Sequence, residues 1–257
     1  MDRLANLGAG LRAAVIGGGW AGLAAAVELA NAGFCVTLFE AARQLGGRAR
    51  SVDLAGQRLD NGQHILLGAY RETLRLMRTV GADPERLLRR LPLELRYPSG
   101  RHTLFHLRLP PLPSPWHLLA GLLTARGASL REKFAAVRFL HGLRRAGYRI
   151  GDDCTVSSLL ARQSQPASLC RYLWEPLCLA ALNTRPEHAS AQVFVNTLRD
   201  SLGGGRAATD LLLPTADLDR VFPATAAEFL RFHGGDIRLR SRVQTIGDGP
   251  SIDGECF

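Results

Sequence analysis

Lysine, paired cysteines and long apolar runs are what this 257-residue sequence lacks or holds in small number. Lys133 is the only lysine among 32 basic residues, so the net charge of +9 comes almost entirely from arginine. The five cysteines form no Cys-x-x-Cys pair, which excludes a readable zinc ribbon or disulfide framework. No metal ligand set is predicted, and a reducing compartment fits this cysteine usage best.

No uninterrupted stretch approaches the roughly 20 apolar residues that a membrane-spanning helix requires. The alanine-rich stretch of residues 13–26 is broken by glycines, and we interpret it as strand, turn and helix instead of a secretory signal. The arginines are scattered without interleaved aromatic residues, which argues against a nucleic-acid partner. These absences predict a cytoplasmic protein, and peripheral association with the inner face of the cytoplasmic membrane stays open.

A glycine loop near the N-terminus is the first positive signal. A β-prone run, residues 12–16, leads into the sequence GGGWAG and then into a stretch of helical composition that stops at Gly33. In a GxGxxG pattern the first glycine permits a tight turn, the second lets a pyrophosphate approach the backbone, and the third lets the helix pack on the strand. The cofactor residues predicted here are Gly17, Gly19, Trp20, Ala21 and Gly22.

Two further features follow the loop at informative positions. Glu40 ends a second predicted strand, where an acidic side chain accepts hydrogen bonds from a ribose diol and favours a 2′-hydroxyl over a 2′-phosphate. The run Gly46-Gly47-Arg48 then suits a loop packed against an extended FAD, with an arginine near the phosphates. A hairpin turn with solvated arginines is the alternative interpretation.

This order of glycine loop, acidic residue and Gly-Gly-Arg resembles the flavin-containing amine oxidase and phytoene desaturase superfamily. The resemblance implies an α/β fold with FAD as cofactor, in which a Rossmann-like FAD-binding domain of the GR2 type carries an inserted, mainly helical substrate domain. It places Gly62, Gln63 and His64 in a segment close to the flavin, where His64 is either a flavin neighbour or a structural histidine. It also places the backbone of Val243 beside the adenine.

Three later segments are similar to the squalene-associated branch, the hydroxysqualene dehydroxylases of hopanoid biosynthesis. They are WEPLCLAALNT (174–184), ASAQVF (189–194) and LRDSL (198–202), the last followed by DLLLP (210–214). Composition alone allows either the walls of an apolar cavity or an ordinary buried core in this part of the chain. The resemblance implies reductive dehydroxylation of hydroxysqualene to squalene, a lipophilic isoprenoid substrate and an external reductant. It identifies no catalytic residue.

The resemblance also predicts a domain plan and leaves alternatives open. It divides the FAD-binding domain between residues 11–75 and 214–250, with the substrate domain in residues 76–213. Family members continue for well over a hundred further residues, so we expect a chain truncated at its C-terminal side. The alternatives are a carotenoid desaturase or amine oxidase that uses the flavin oxidatively, and a non-catalytic fragment without the half that closes the flavin site.

Local patterns predict several elements in the remaining sequence. Residues 70–82 and 130–148 have apolar side chains at helical spacing. The second stretch has a basic opposite face, which fits either an interfacial helix on anionic lipid or a core-facing helix with a solvated basic side. Residues 217–232 predict one helix, and residues 243–246 predict a strand.

Overall fold

The computed structural model describes residues 10–62, 64–100, 102–247 and 251–257. The chain divides into two compact units. Unit 1 comprises the described residues up to Leu66, together with Arg71–Arg89 and Leu212–Phe257, and unit 2 comprises Leu67–Tyr70 and Arg90–Leu211.

Strands outnumber helices in the N-terminal part, and helices predominate in the middle of the chain. The strands are β1 (Arg12–Ile16), β2 (Cys35–Phe39), β3 (Ser51–Leu54), β4 (Gln57–Asp60), β5 (Leu66–Leu67), β6 (Leu88–Leu91), β7 (Glu94–Ser99), β8 (His102–Arg108), β9 (Leu211–Pro214), β10 (Asp236–Arg238), β11 (Ser251–Ile252) and β12 (Glu255–Cys256). The helices are α1 (Trp20–Asn31), α2 (Arg71–Thr79), α3 (Pro84–Leu87), α4 (Trp116–Thr124), α5 (Leu130–Arg145), α6 (Val156–Arg162), α7 (Ala167–Leu169), α8 (Glu175–Leu182), α9 (Ala191–Ser201), α10 (Arg206–Thr209), α11 (Leu218–Val221) and α12 (Pro223–Phe232). A π-helix, Cys170–Trp174, lies between α7 and α8.

A three-stranded parallel sheet with β2 at its centre organises unit 1. The helix α1 connects β1 to β2, so the first three elements form the βαβ unit that the sequence predicts. Side chains on one face of the sheet, including Val15, Val36 and Leu38, pack in a core with Leu23 of α1 and Leu230 of α12. This core holds the end of β1 and the start of α1 in place.

The C-terminal segment that contains the β11–β12 hairpin contacts the opposite face of this sheet. The side chains on that face alternate along each strand with those that point into the core. The Glu255 carboxylate accepts hydrogen bonds from Nη2 of Arg12 at 2.8 Å and from Nη1 of Arg238 at 2.5 Å. The Phe257 ring meets the Phe39 ring edge to face, with centroids 5.7 Å apart. Hydrogen bonding to Arg238, and less strongly to Arg12, lowers the pKa of the Glu255 carboxyl.

The structure places the boundary between the units later than the predicted residue 76. Residues 76–89 belong to unit 1. The reason is α2, which buries Leu74, Leu76 and Met77 in the same core as the parallel sheet. The assignment of unit 1 to the cofactor and unit 2 to the substrate stays a prediction.

Two predicted elements in the last part of the chain are corrected. The helix expected over residues 217–232 is two helices, because Phe222 leaves the helical conformation and Pro223 begins α12. The strand expected over residues 243–246 is absent, and Ile246 forms only an isolated bridge. The Asp253 carboxylate accepts the backbone N–H groups of Gln244 and Thr245, which takes the donors that a neighbouring strand would use.

Unit 2 consists of helices and the β7–β8 hairpin around an aromatic core. Its largest buried side chains are Phe105, Phe139, Trp174 and Phe194. The π-helix ends next to Pro176, which lacks the N–H needed to continue a regular helical ladder. Within the described ranges, no helix is long and apolar enough to cross a membrane.

Candidate functional site

The glycine loop between β1 and α1 has the backbone geometry that its glycines predict. Gly17 has a φ of +101°, and its N–H donates to the Phe39 carbonyl at 2.7 Å. A Cβ on Gly22 would lie 1.8 Å from the Gly17 carbonyl oxygen. The turn therefore requires glycine at position 17 for conformation and at position 22 for space.

The N-terminus of α1 is open toward this loop. Gly19 is the N-cap residue, and no side chain in the described part of the protein caps the helix through a hydrogen bond. The first-turn N–H groups of a helix have no intrahelical partner and attract anions. The nearest described atom to a Cβ on Gly19 would be the Cα of Gly47, at 3.8 Å, so the space beside Gly19 is open.

Glu40 lies against the glycine loop, directly after β2. Its Oε2 accepts the N–H of Gly18 at 2.6 Å, and its Oε1 accepts the N–H of Ala42 at 2.7 Å. A carboxylate has about four lone-pair positions, so two accepted bonds leave capacity for hydroxyl donors. The geometry agrees with a ribose-binding position, and the role itself stays a prediction.

The Gly-Gly-Arg run packs directly on the glycine loop. The N–H of Gly46 donates to the Gly18 carbonyl at 2.8 Å, and a Cβ on Gly47 would lie 3.1 Å from the Cα of Gly19. Gly46 and Gly47 both have positive φ. Arg48 itself is exposed, as the hairpin interpretation expects, but the glycines before it form one wall of the loop.

Arg50 is a residue that the sequence analysis did not single out. Its Nε is buried, and no group among the described residues accepts a hydrogen bond from it. A buried guanidinium N–H without an acceptor suits an anionic ligand such as a phosphate. The arginines flanking Gly46 and Gly47 gave a signal for phosphate contact, but spacing could not distinguish one arginine from another.

The segment that follows β4 carries the next predicted residues. Asn61 donates its backbone N–H to the Arg50 carbonyl at 2.8 Å, which ties this segment to the Gly-Gly-Arg run. Gly62 has a φ of +87°, and Nδ1 of His64 lies 3.1 Å from the Gly62 carbonyl oxygen. His64 thus bonds within its own turn, as a structural histidine would. Gln63 lies outside the described residues.

Val243 is half-buried in an irregular segment of unit 1. Its predicted contact with the adenine was carried over from a strand that this chain does not form there. The backbone of Val243 is therefore available without a strand partner among the described residues, and the adenine contact stays a prediction.

The β3–β4 hairpin is fixed to the segment around α11 by a charged cluster. Arg58 donates to Asp217 through Nε at 2.8 Å and to Asp219 through Nη2 at 2.5 Å. Asp60 accepts the N–H of Leu218 at 3.0 Å. The charge of Asp219, with the hydrogen bond to Asp217, raises the pKa of Arg58. These contacts hold the predicted flavin segment at a fixed position in unit 1.

Each unit also contains a cavity. In unit 1 a cavity of about 170 Å³ lies beside the start of α1, with Trp20 and Phe222 among its apolar lining. In unit 2 a cavity of about 530 Å³ is lined by both Leu160 and charged groups such as Glu175. Burial, with the charge of Glu175, raises the pKa of the Cys170 thiol in that lining, so the thiol stays protonated near neutral pH.

Comparison with known protein families gives a match over most of the chain. The family of flavin-containing amine oxidoreductases matches residues 20–255. Hydroxysqualene dehydroxylase of Zymomonas mobilis is 27% identical over 238 residues, which cover 90% of this chain and 54% of the relative. The same enzyme of Rhodopseudomonas palustris is 32% identical over 242 residues, with 90% and 53% covered. The zeta-carotene desaturase of Arabidopsis thaliana is 26% identical, with 96% and 46% covered.

Solved structures give a similar result for the fold. An oxidoreductase from Methanosarcina mazei has a TM-score of 0.68 at 16% identity, with 94% of this chain and 54% of that chain covered. A variant of putrescine oxidase has a TM-score of 0.63 at 19% identity, with 96% and 56% covered. At these identities the likeness shows the fold alone. The chain spans about half the length of the curated relatives it matches.

Proposed function

The chain belongs to the flavin-containing amine oxidoreductase family, and we propose that it forms the FAD-binding half of a hydroxysqualene dehydroxylase. Membership confirms the predicted family resemblance, the α/β flavoprotein fold class and the oxidoreductase class with its flavin cofactor. The proposed reaction is the reductive dehydroxylation of hydroxysqualene to squalene in hopanoid biosynthesis. The observation that carries the cofactor part is the cradle formed by Gly19, Gly47 and Glu40 at the start of α1.

The residues of this cradle fit FAD in three respects. The N-terminus of α1, uncapped by any described side chain, supplies N–H donors for a diphosphate, and Arg50 supplies a buried N–H that has no acceptor among the described residues. The Glu40 carboxylate supplies acceptors for the ribose hydroxyls. The space beside Gly19 admits a ligand where a side chain would obstruct it. The residues proposed to hold FAD are Gly17, Gly19, Trp20, Ala21, Gly22, Glu40, Gly46, Gly47, Arg48, Arg50, Gly62, Gln63, His64 and Val243.

The protein's part in the proposed reaction is binding and orientation. When bound, reduced FAD would supply the hydride that takes the place of the hydroxyl group, which would take up a proton and leave as water. The loop and Glu40 fix the cofactor at its adenosine diphosphate end, and the Arg58 cluster holds the segment of Gly62 and His64. Unit 2 is proposed as part of the substrate domain, because the three segments similar to hydroxysqualene dehydroxylases lie there. The reductant is proposed to be external.

Hydroxysqualene is a long hydrocarbon with one hydroxyl group, and such a molecule partitions into lipid. We therefore propose that the protein works in the cytoplasm as a peripheral protein of the inner face of the cytoplasmic membrane. A lipophilic isoprenoid is its proposed partner, and nucleic acid is not.

A carotenoid desaturase is the second candidate, since the similarity to zeta-carotene desaturase extends over 96% of this chain. Both candidates require the same cofactor cradle and differ in substrate and direction of electron flow. Combining this chain with the C-terminal half of the Rhodopseudomonas palustris relative distinguishes them. Formation of squalene from hydroxysqualene under reducing conditions supports the first candidate, and oxidation of zeta-carotene supports the second. A non-catalytic fragment would do neither.

Flavin titration of the chain tests the cofactor part. We expect Glu40→Ala to weaken FAD binding by about 1.5 to 3 kcal/mol, the range for hydrogen bonds to a charged group. Glu228→Ala is the matched control, because Glu228 is an exposed glutamate of the same unit without a partner among the described residues. Equal affinity in the Glu40 and Glu228 variants would contradict the proposed ribose contact.

A further inference from the structure

Four large apolar side chains are exposed on α4 and α5, two helices of unit 2 that contact each other. Trp116 is 60% exposed, Leu123 53%, Leu130 77% and Phe134 69%. Trp116 and Leu123 are two turns apart on one face of α4, and Leu130 and Phe134 are one turn apart on α5. Nζ of Lys133 donates to the Leu123 carbonyl at 2.7 Å, which holds the two helices together at this point. We name these four side chains the apolar tip.

The core of unit 2 does not need the apolar tip. The opposite face of α4 already buries Gly121 and Leu122, and the opposite face of α5 buries Ala136, Phe139 and Leu143. Single exposed apolar side chains are common on protein surfaces, but a group of large ones on adjoining helices marks an interaction site.

A basic ridge continues from the apolar tip along α5. Arg138, His141 and Arg145 follow Phe134 at spacings of four, seven and eleven residues, so they lie on the same exposed face. Neither arginine forms an ion pair within the described part of the chain. The one acidic side chain of α5, Glu132, is bound by the Ser129 N–H at 2.6 Å and by the Ser168 hydroxyl. The ridge therefore presents positive charge that no described carboxylate pairs with.

We propose that the apolar tip and the basic ridge form a docking surface for an anionic lipid bilayer. Large apolar side chains enter the boundary between headgroups and acyl chains, and arginines contact lipid phosphates. Indole rings favour this boundary because they have an apolar body and a polar N–H. The positive ridge selects an anionic over a neutral surface. This inference rests on the proposed function only in taking the substrate to be dissolved in the membrane. Lipid binding itself can be measured without enzyme turnover.

Co-sedimentation of the 257-residue chain with vesicles tests the proposal. We expect binding to vesicles of phosphatidylcholine with about one third phosphatidylglycerol, weaker binding as salt rises, and far weaker binding to pure phosphatidylcholine. Trp116 supplies a second readout, since its fluorescence should shift to the blue and be quenched by brominated lipid. Trp116→Phe should remove that signal. Equal binding to both vesicle types, or no quenching of Trp116, would overturn the proposal.

Paired variants separate the two parts of the surface. We expect Leu130→Ser with Phe134→Ser to reduce vesicle affinity by about tenfold or more, and Arg138→Gln with Arg145→Gln by roughly fivefold per arginine at low salt. The controls are Phe232→Ser, at an 87% exposed residue of unit 1, and Arg162→Gln, at an exposed arginine of unit 2.

The outcomes of these variants also distinguish other occupants of the surface. If the serine pair binds vesicles as the unaltered chain does, the apolar tip is not the docking surface. If the chain ignores vesicles but self-associates, and the serine pair abolishes that association, the tip is a contact between copies. Flavin affinity should be the same in all of these variants, so failure of the proposed cofactor site remains separately visible in the Glu40 titration.

Discussion

The glycine loop of unit 1 depends on backbone geometry at a few glycines, whereas the aromatic core of unit 2 depends on the volume of large buried side chains. In unit 1 the positions of Gly17, Gly22 and Gly47 are set by a positive φ or by backbone atoms too close for a side chain. In unit 2 the core is filled by rings such as Trp174, Phe139 and Phe105. The difference teaches that these two regions should fail in different ways: the glycine loop when atoms are added, and the aromatic core when atoms are removed.

The largest expected effect is the removal of Trp174 from unit 2. Its ring is buried, lies edge to face with Phe139 at 5.2 Å, and donates Nε1–H to Gln165 at 2.9 Å. We expect Trp174→Ala to lower the free energy of unfolding by about 3 to 5 kcal/mol, as the removal of other large core side chains does. Urea unfolding measures this, with Trp116→Ala as the exposed control at about 0.5 kcal/mol or less. A similar loss in both variants would contradict the comparison.

The next largest loss of stability should come from adding one methyl group at Gly22 of unit 1. The same addition at Gly19 should cost little stability. A Cβ on Gly22 collides with the Gly17 carbonyl, so we expect Gly22→Ala to cost about 1 to 3 kcal/mol of stability. At Gly19 the nearest atom is 3.8 Å away, so Gly19→Ala and Gly19→Val should fold normally. If the proposed cradle is correct, they still lose FAD. Thermal unfolding and flavin content together measure this, and a stable, flavin-loaded Gly22→Ala chain would refute it.

The smallest expected effect is on the pH dependence of the free energy of unfolding, and it concerns one buried histidine of unit 2. His117 is fully buried, and neither ring nitrogen has a hydrogen-bond partner among the described residues. Burial lowers its pKa, so the unfolded chain binds the proton more readily than the folded one. Stability from the neutral ring is complete above the ordinary histidine pKa and is lost as pH falls below it.

We expect His117→Phe to flatten this acid-side decline, whose slope for one proton is at most about 1.4 kcal/mol per pH unit. Urea unfolding between pH 8 and pH 5 measures it, with the exposed His188→Phe as control. An unchanged pH profile in the His117 variant would show that another group titrates on unfolding.

The sequence predicted the parts of the fold that follow from short-range spacing. Glu40 lies by the glycine loop because a βαβ unit of that length returns the chain to the same sheet edge, and this needs no knowledge of the rest of the molecule. The break before Pro223 also had a local signal, since proline cannot sit inside a helix without cost.

Other features depended on contacts between distant residues and had no local signal. Residues 76–89 join unit 1 because α2 packs on its core, and an amphipathic pattern does not say which core it faces. The irregular backbone at Val243 results from a carboxylate ten residues later, at Asp253. Nε of Arg50 and both ring nitrogens of His117 have no hydrogen-bond partner among the described residues, and this too appears only after packing is known.

The pairing of β2 with β10 has a consequence for how the chain folds during its synthesis. Both strands belong to one sheet. In the same unit, a hydrogen bond joins Arg58 to Asp219, which lies 161 positions later in the chain. At a synthesis rate of about 5 to 20 residues per second, β2 waits on the order of 10 s or more for its second neighbour. Unit 2 is nearly continuous in sequence and leaves the ribosome complete before that moment. Unit 2 can therefore fold before the sheet of unit 1 is complete, and one edge of β2 stays open to mispairing until β10 is made.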